Sequence, residues 1–232
     1  MLELTELRKE FRDGSQTITA VVVDSLTIDS GEQLALVGPS GSGKTTLLHM
    51  ISGLLTPTSG EIKYGQTVVS ALPERSRDIW RANTVGYIFQ NLNLLSGLNI
   101  LDNLLAAMSF ATVIPKKNQR PWASRLLEQV GLADRLSSFP RQLSTGEQQR
   151  VAIARAVVNK PKLILADEPT ASLDQDNGQR VLALLRQLAK DNNSILLIST
   201  HDQQIINKFQ RIFPLKQPER QVTDNAAYDR LA

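Results

Sequence analysis

The sequence predicts an α/β fold with a mostly parallel sheet, and three observations indicate this class. Short apolar segments of strand length occur at 34–37, 163–166 and 195–199. Longer segments with the apolar spacing of helices lie between them. A glycine-rich loop follows the first of these strands. Strands that alternate with helices along the chain form a parallel sheet whose two faces are covered by the helices.

The N-terminal segment predicts β-structure. Leu2 and Leu4 alternate with polar residues, and the segment 18–28 is rich in β-branched residues. Glycine-containing turn signals bound these segments. The pattern then predicts a strand at 34–37 and, after the glycine-rich loop, a helix at 43–54.

Residues 91–143 have a different pattern from the rest of the chain. Apolar residues recur there at helical spacing, and three prolines punctuate the segment. We therefore expect a helical insert at this point. The apolar positions are Leu101, Leu104, Leu105, Met108, Leu126, Leu127 and Val130.

The alternation of helices and strands returns after the insert. The elements predicted there are a helix at 146–159, a strand at 163–166, a helix at 175–190 and a strand at 195–199. Residues 214–232 are polar with little periodicity, which predicts a loose C-terminal tail. The sequence thus predicts one domain over 1–213, with the insert inside it.

The composition narrows the functional classes. The chain has 26 basic and 23 acidic residues, a net charge of +3, and no long basic run, which by itself neither indicates nor excludes a nucleic-acid partner; none is expected. It has no cysteine and two histidines, so neither a disulfide framework nor a cysteine- or histidine-rich metal site is expected.

The hydropathy pattern indicates a cytoplasmic chain. No apolar run approaches the roughly 20 residues that a membrane-spanning helix needs. The N-terminus is acidic and alternating, unlike a signal peptide, which begins with basic residues and continues with an apolar stretch. We expect any role at a membrane to depend on a partner.

The glycine-rich loop has the GxxxxGK(S/T) pattern of a phosphate-binding loop. Its glycines let the backbone wrap closely so that N–H groups point at phosphate oxygens, and the following helix adds the positive end of its dipole. Lys44 is expected to reach the β- and γ-phosphates, and the Thr45 hydroxyl is expected to bind Mg²⁺. The residues predicted to bind nucleotide here are Gly38, Pro39, Ser40, Gly41, Ser42, Gly43, Lys44, Thr45 and Thr46.

Two acidic residues, Asp167 and Glu168, follow the apolar strand at 163–166. Ligands of parallel α/β sheets bind at the carboxyl ends of the strands. Asp167 is therefore expected to hold Mg²⁺, and Glu168 to polarise the attacking water as a general base. An acidic pair of this kind is also common as an ordinary strand end, so its significance depends on the phosphate loop.

A third motif, LSTGEQQR at 143–150, precedes the strand that leads to Asp167. Ser144 and Glu147 have the spacing of a capping box at a helix N-terminus. Together with the two motifs above, the segment resembles the LSGGQ signature of ABC ATPases. The resemblance implies that Ser144, Gly146 and Glu147 face the γ-phosphate bound by a second subunit, so that the active unit is a dimer.

Further residues lie where this family places its motifs. Gln90 resembles the Q-loop glutamine, which senses Mg²⁺ and water, and Asp174 resembles the last residue of the D-loop, which crosses the dimer interface. His201 resembles the H-loop histidine, which contacts the γ-phosphate. Phe11 is the candidate for the aromatic residue that stacks on adenine, a position where the family more often has Tyr.

The resemblance covers residues 1–213 and implies the ABC ATPase fold. This fold is a P-loop NTPase core with a mostly parallel sheet, an N-terminal antiparallel β subdomain and an inserted α-helical subdomain, which corresponds here to 91–143. The implied activity is hydrolysis of ATP with Mg²⁺. The implied partners are a second ATPase subunit, expected to be a copy of this chain, and integral membrane permease subunits at the cytoplasmic face of a membrane.

The segment 78–95 is similar to one subgroup of the family. This subgroup includes motor subunits of macrolide exporters, lipoprotein-release systems, the cell-division ABC complex and peptide-resistance transporters. Motors of this kind act on membrane subunits that move laterally or transmit force. Four leucines beside this segment either dock such a partner or pack inside the helical subdomain: Leu92, Leu94, Leu95 and Leu98.

A soluble ABC ATPase acting on DNA or ribosomes is the alternative. The chain lacks the long heptad-repeat arms of the first kind and has a single phosphate loop, whereas the second usually has two cassettes. The signature, D-loop and H-loop disfavour other P-loop enzymes such as small-molecule kinases.

One departure from the signature is Thr145, where the family usually has Gly. A β-branched residue would disfavour left-handed backbone torsions there.

Overall fold

The computed structural model describes residues 1–14 and 16–217, which form two β-sheets with helices packed against them. One sheet is antiparallel with strand order β2-β1-β4-β5, and the other is parallel with order β6-β7-β8-β3-β9. The strands are β1 (Leu2–Asp13), β2 (Gln16–Ile28), β3 (Gln33–Val37), β4 (Ser59–Tyr64), β5 (Thr67–Val68), β6 (Val85–Ile88), β7 (Leu163–Asp167), β8 (Ile195–Ser199) and β9 (Arg211–Pro214).

In the part of the chain that the structure describes, seven α-helices connect and cover these strands. Helix α1 follows the phosphate loop, α3 and α4 pack on each other and on α5, and α6 packs on α5. The helices are α1 (Lys44–Ile51), α2 (Glu74–Thr84), α3 (Ile100–Ser109), α4 (Lys116–Gln129), α5 (Thr145–Val157), α6 (Gln175–Asp191) and α7 (Gln203–Ile206). Helices α3 and α4 lie within the segment that the sequence predicts as a helical insert.

The parallel sheet separates two hydrophobic cores. All five residues of β7 and of β8 are buried. Because side chains alternate along a strand, Ile164 and Ala166 belong to the core formed with α3–α6, whereas Leu163 and Leu165 pack with α1 and the antiparallel sheet. Burying one such aliphatic side chain stabilises a fold by roughly 1.5–3 kcal/mol. The central strands are thereby fixed from both sides.

The register of the sheet brings the predicted motifs to one edge. Asp167 at the end of β7 pairs with Ser199 at the end of β8, and Ser199 also pairs with Leu36 of β3. The phosphate loop leaves β3 directly after Val37. The three motifs that follow these strands are therefore neighbours in space.

The ordered sheet extends beyond the predicted domain boundary at 213. Strand β9 ends at Pro214, and the side chain of Leu215 is 3% exposed and packs in the core beside α1. The backbone N–H of Leu215 also donates to the Val37 carbonyl at 2.7 Å. Pro214 and Leu215 thus continue the fold, because Pro214 ends the outer strand beside β3 and Leu215 packs in the core. The rest of the predicted tail, 218–232, lies outside the described residues.

In the described ranges 1–14 and 16–217, none of the helices combines the length and apolar character needed to cross a membrane.

Candidate active site

A cavity of about 670 Å³ opens at the carboxyl edge of β3 and β7. Its walls come from the phosphate loop, the start of α1, strand β2 and the segments that follow β6, β7 and β8. Many of the predicted site residues line it. The lining residues are Ile18, Thr19, Ala20, Ser40, Gly41, Gly43, Lys44, Thr45, Thr46, Gln90, Glu168, His201 and Gln217.

Gly43 fixes the path of the phosphate loop. Its φ is +91°, in the region that favours glycine, and a Cβ atom there would lie 2.2 Å from the Ala20 carbonyl oxygen and 2.7 Å from Val21 Cγ2. The loop therefore approaches β2 more closely than any other residue type allows. This close approach turns the chain directly into α1, so that the N-terminus of α1 faces the cavity.

Lys44 and Ser42 make the interior of the loop polar. The Lys44 ammonium donates to the carbonyl oxygens of Gly38 and Pro39 at 2.8 and 3.0 Å, which leaves one of its three protons for another acceptor. The Ser42 hydroxyl is fully buried and has no hydrogen-bond partner among residues 1–14 and 16–217. A cation and an unused hydroxyl inside a glycine-rich loop suit a phosphate group.

Asp167 is held by two hydroxyl groups. Its side chain is buried, Thr45 Oγ1 donates to Oδ2 at 2.7 Å, and Ser199 Oγ donates to Oδ1. Thr45 and Asp167 are both predicted from the sequence as magnesium ligands, and their side chains are in contact. A hydroxyl beside a carboxylate is an oxygen donor set of the kind that Mg²⁺ prefers.

Glu168 has a strained backbone next to the cavity. Its φ is +45°, and its N–H donates to both the carbonyl and the hydroxyl oxygen of Ser199 at 3.1 Å. This left-handed conformation costs a non-glycine residue about 1–2 kcal/mol and is typical of functional sites. Its carboxylate lies 3.1 Å from Nδ1 of His201, whose side chain is 68% exposed.

Ser199 is the functional residue that the motifs alone do not identify. It appears in the sequence as the first residue of the segment that resembles the H-loop. In the structure it contacts both predicted acids, Asp167 and Glu168. A serine at the end of a buried strand, beside the strand that carries the acids, is the signal that could have found it.

The signature residues lie outside the cavity of their own chain. Ser144 caps α5 as predicted, because its Oγ accepts from the Glu147 N–H at 3.3 Å while the Glu147 carboxylate accepts from the Ser144 N–H at 2.8 Å. Ser144 is exposed, and neither it nor Gly146 lines the cavity. Asp174 caps α6 by accepting from the Asn177 N–H at 3.0 Å and is also outside the cavity.

Phe11 and Thr145 are two positions where the family more often has another residue. The Phe11 ring is 43% exposed and is not part of the cavity lining, although its cross-strand neighbour Ile18 is. Thr145 is the first residue of α5 and has no positive φ. The expected conflict with a left-handed conformation therefore does not arise, because this position is right-handed helix.

A second cavity of about 560 Å³ forms a groove between β6, α2, α3 and α5. Its lining includes Phe89, Arg155 and the ring of Phe110, which is 77% exposed. Four leucines are predicted either to dock a partner or to pack in the helical subdomain. Of these, Leu95 is 48% exposed, whereas Leu94 packs against the core formed with α3–α6. Leu92 and Leu98 are partly buried.

The fold and the phosphate loop define a P-loop nucleotide-binding protein. Residues 23–171 match the family described as ABC transporter. The chain therefore belongs to the ABC transporter family, and it is an ATP-hydrolysing cassette of that family.

Individual relatives agree with this family. Over 219 residues the chain is 41% identical to the macrolide export ATP-binding/permease protein MacB of Rhodopirellula baltica, covering 93% of this chain but only 32% of that protein. It is 40% identical over 215 residues to the lipoprotein-releasing system ATP-binding protein LolD of Legionella pneumophila (strain Lens), covering 93% of this chain and 94% of that one.

A solved structure agrees with the fold. The chain is similar to the dimeric post-hydrolysis structure of the ATP-binding cassette MJ0796 bound to ADP and Pi, with a TM-score of 0.86 and 34% identity. The match covers 95% of this chain and 97% of that one. The prediction of an ABC ATPase fold is thereby confirmed.

Proposed function

We propose that this chain is the motor subunit of a membrane transport system. In this proposal two copies close around two ATP molecules, and hydrolysis drives a conformational change in membrane permease subunits. The observation that carries the proposal is the division of the site. Lys44, Thr45 and Glu168 line the cavity, whereas the cap at Ser144 is exposed and lies outside it, where it can meet a nucleotide held by another copy.

Each half of the site has its own task. The phosphate loop and Lys44 bind the β- and γ-phosphates, and Glu168 with His201 orients the water for in-line attack. Thr45, Gln90 and Asp167 would hold Mg²⁺, which supplies positive charge beside the transferred phosphoryl group. Ser144 and Gly146 of the second copy complete the surroundings of the γ-phosphate, and Asp174 lies near this boundary.

The groove beside β6 is the proposed docking surface for the membrane partner. It is lined by Phe89 and by the exposed ring of Phe110, and Leu95 is exposed nearby. Exposed apolar groups of this size typically mark an interaction site. The similarity to MacB and LolD, whose names concern macrolide export and lipoprotein release, supports a transport system of that type. The chain would then lie at the cytoplasmic face of a membrane through its partner.

The test is Glu168→Gln, which removes the carboxylate but keeps the size of the side chain. We expect ATPase turnover to fall by at least about 10²-fold because the general base is lost. We also expect ATP to convert the variant into a stable dimer, measured by size-exclusion chromatography. The matched control is Glu168→Gln combined with Ser144→Arg, which should bind ATP and stay monomeric. A monomeric Glu168→Gln protein with bound ATP would contradict the shared site.

The membrane role is tested with the same variant. Affinity purification of Glu168→Gln from its native cells should yield a multi-spanning membrane protein in stoichiometric amount. Leu95→Glu in the same background should lose this partner but keep the ATP-dependent dimer. Recovery of ribosomal or nucleic-acid-associated proteins alone would support the alternative of a soluble ABC ATPase and overturn the transport proposal.

A further inference from the structure

Arg155 joins the signature helix to the segment that follows Gln90. It lies near the end of α5, the helix that begins beside Ser144. Its two terminal nitrogens donate to the carbonyl oxygens of consecutive residues. Nη1 donates to Asn93 and Nη2 donates to Leu92, both at 2.5 Å. The planar guanidinium fork suits two acceptors held side by side, an arrangement that an ammonium group cannot reproduce.

The segment held by Arg155 has an unfavourable backbone. Leu92 and Asn93 have φ values of +56° and +50°, and neither is glycine. Two successive left-handed residues are rare because the Cβ atom crowds the following carbonyl. Within the described part of the chain, the backbone N–H groups of Leu92 and Asn93 donate only to near neighbours, Leu92 to the Phe89 carbonyl and Asn93 to the Asn91 carbonyl. Such a conformation persists only where its surroundings enforce it.

This segment separates the two cavities. Gln90 lines the nucleotide cavity, whereas Phe89, Asn93 and Arg155 line the groove beside β6. Gln90 is exposed, so packing does not fix its position. The conformation of the backbone at 91–93, directly after Gln90, therefore constrains the position of Gln90.

We propose that Arg155 is a positioning residue for ATP hydrolysis. By clamping the carbonyls of Leu92 and Asn93, it maintains the left-handed turn and so holds the Gln90 amide in the nucleotide cavity. The inference rests on the role proposed above for Gln90. Because Arg155 and the cap at Ser144 belong to one helix, the clamp also makes the position of Gln90 follow any movement of α5.

The first test is Arg155→Lys, which keeps the charge but not the fork. We expect kcat to fall about 10- to 100-fold, as small misplacements at a reacting centre do, while the KM for ATP changes by less than about threefold. Thermal unfolding, monitored by circular dichroism, should remain a single cooperative transition. The control is Arg211→Lys, because Arg211 also donates to a carbonyl, that of Thr27, but lies away from the cavity. That variant should keep the wild-type kcat.

A double-mutant cycle separates positioning from general support. If Arg155 acts through Gln90, Arg155→Lys should have little further effect in a Gln90→Ala background. Effects that multiply would overturn the inference. Gln90→Ala with an unchanged kcat would instead remove the proposed role of Gln90, and a loss of activity in Arg155→Lys would then show that Arg155 acts by another route.

Asn93→Gly provides a rescue. Glycine adopts positive φ without strain, so it lowers the need for the clamp. In the Arg155→Lys background it should restore at least about a third of the lost kcat, because the turn can form without two held carbonyls. A purely structural role of Arg155 predicts recovered thermal stability with no recovery of kcat, which would contradict the inference.

Discussion

A single hydroxyl group at Ser199 orients both acids of the site. It donates to Asp167 Oδ1 and accepts from the Glu168 N–H, which uses its one proton and one of its lone pairs. The first contact aims the carboxylate towards Thr45. The second supports the left-handed backbone that presents Glu168 to the cavity. The same hydroxyl thus contacts two acids that are adjacent in sequence. It binds the side chain of Asp167 and the backbone of Glu168.

Ser199→Ala should therefore affect both stability and turnover. The buried Asp167 oxygen loses its donor, which we expect to lower the free energy of unfolding by about 1–3 kcal/mol. We expect kcat to fall at least about tenfold, since the acids lose their orientation. Ser194→Ala is the matched control, because Ser194 is also fully buried and donates to the Pro161 carbonyl at 2.6 Å. Equal losses of kcat in the two variants would contradict the role of Ser199.

The acids could be predicted from sequence, whereas the contacts of Ser199 with them could not. The pattern of an apolar strand followed by Asp167 and Glu168 is local, as is the glycine pattern of the phosphate loop. The contact from Ser199 depends on the register between β7 and β8, which sets Asp167 opposite Ser199 across 32 residues of chain. No local sequence pattern predicts the register between these two strands. It follows only once the two strands are packed side by side.

The N-terminus of α5 shows how a capping box couples stability to pH. Hydrogen bonds from the backbone and side chain of Ser144 lower the pKa of Glu147 below its ordinary value of 4.5. A carboxyl group whose pKa is lower in the folded state stabilises the fold above its unfolded pKa. This contribution is lost as the pH falls through the folded value. The helix cap should thus weaken below about pH 4.5.

Glu147→Ala should lower the free energy of unfolding by about 0.3–1 kcal/mol at pH 7, because the helix N-terminus loses a favourable negative charge and one hydrogen bond of the capping box. The difference from wild type should shrink as the pH falls below 4.5, because protonation removes the same interaction from the wild type. Urea unfolding at a series of pH values measures it. Glu147→Gln keeps the capping geometry but does not titrate, so its stability should lack this pH dependence. An equal pH dependence in Glu147→Gln would argue against the cap as its source.

Thr145 should be tolerated because α5 is already helical at that position. Replacing it with the usual glycine of the signature should lower the free energy of unfolding by no more than about 1 kcal/mol, since glycine has the greater conformational freedom when unfolded. The side chain is exposed, so no packing is lost. Chemical denaturation measures this change. A more stable Thr145→Gly protein would show that threonine strains the helix start.

The elements that sequence patterning missed are those without a clear apolar stripe. Helix α2 has no fully buried residue, so its sequence lacks the periodic apolar positions by which a helix is recognised. Strand β6 has four residues and β5 has two, which is too short for alternation to be detected. In contrast, the amphipathic helix α6 was predicted within one residue of its observed limits, Gln175–Asp191. These elements depend on their neighbours in the fold, because β5 and β6 pair with β4 and β7 and the partly buried Trp80 of α2 packs against the core beside α1.

The division of the site between two copies leads to a prediction about mixed subunits. In the proposed dimer with two-fold symmetry, each ATP would contact Glu168 of one copy and Ser144 of the other. Glu168→Gln inactivates the site formed by its own phosphate loop, and Ser144→Arg inactivates the site of its neighbour. A dimer of one variant with the other therefore carries both defects in one site and has an intact second site.

Mixing the two inactive variants should restore ATPase activity. Random pairing in equal amounts would make half of the dimers mixed, each with one of two sites intact, which corresponds to about a quarter of the wild-type rate. The expected rate lies below this value, because Glu168→Gln also forms stable homodimers with ATP and Ser144→Arg weakens pairing. The rate should rise as the square of protein concentration at low concentration, because the mixed species forms by association. Glu168→Gln mixed with Lys44→Ala is the control. Both substitutions inactivate the site formed by their own phosphate loop, so a mixed dimer has no intact site. An inactive first mixture, with both chains folded and binding ATP, would mean that the two sites cannot act separately or that Ser144 serves its own chain. Titrating wild-type chain with Glu168→Gln distinguishes these outcomes, because a linear loss of activity supports independent sites and a steeper loss supports coupled ones.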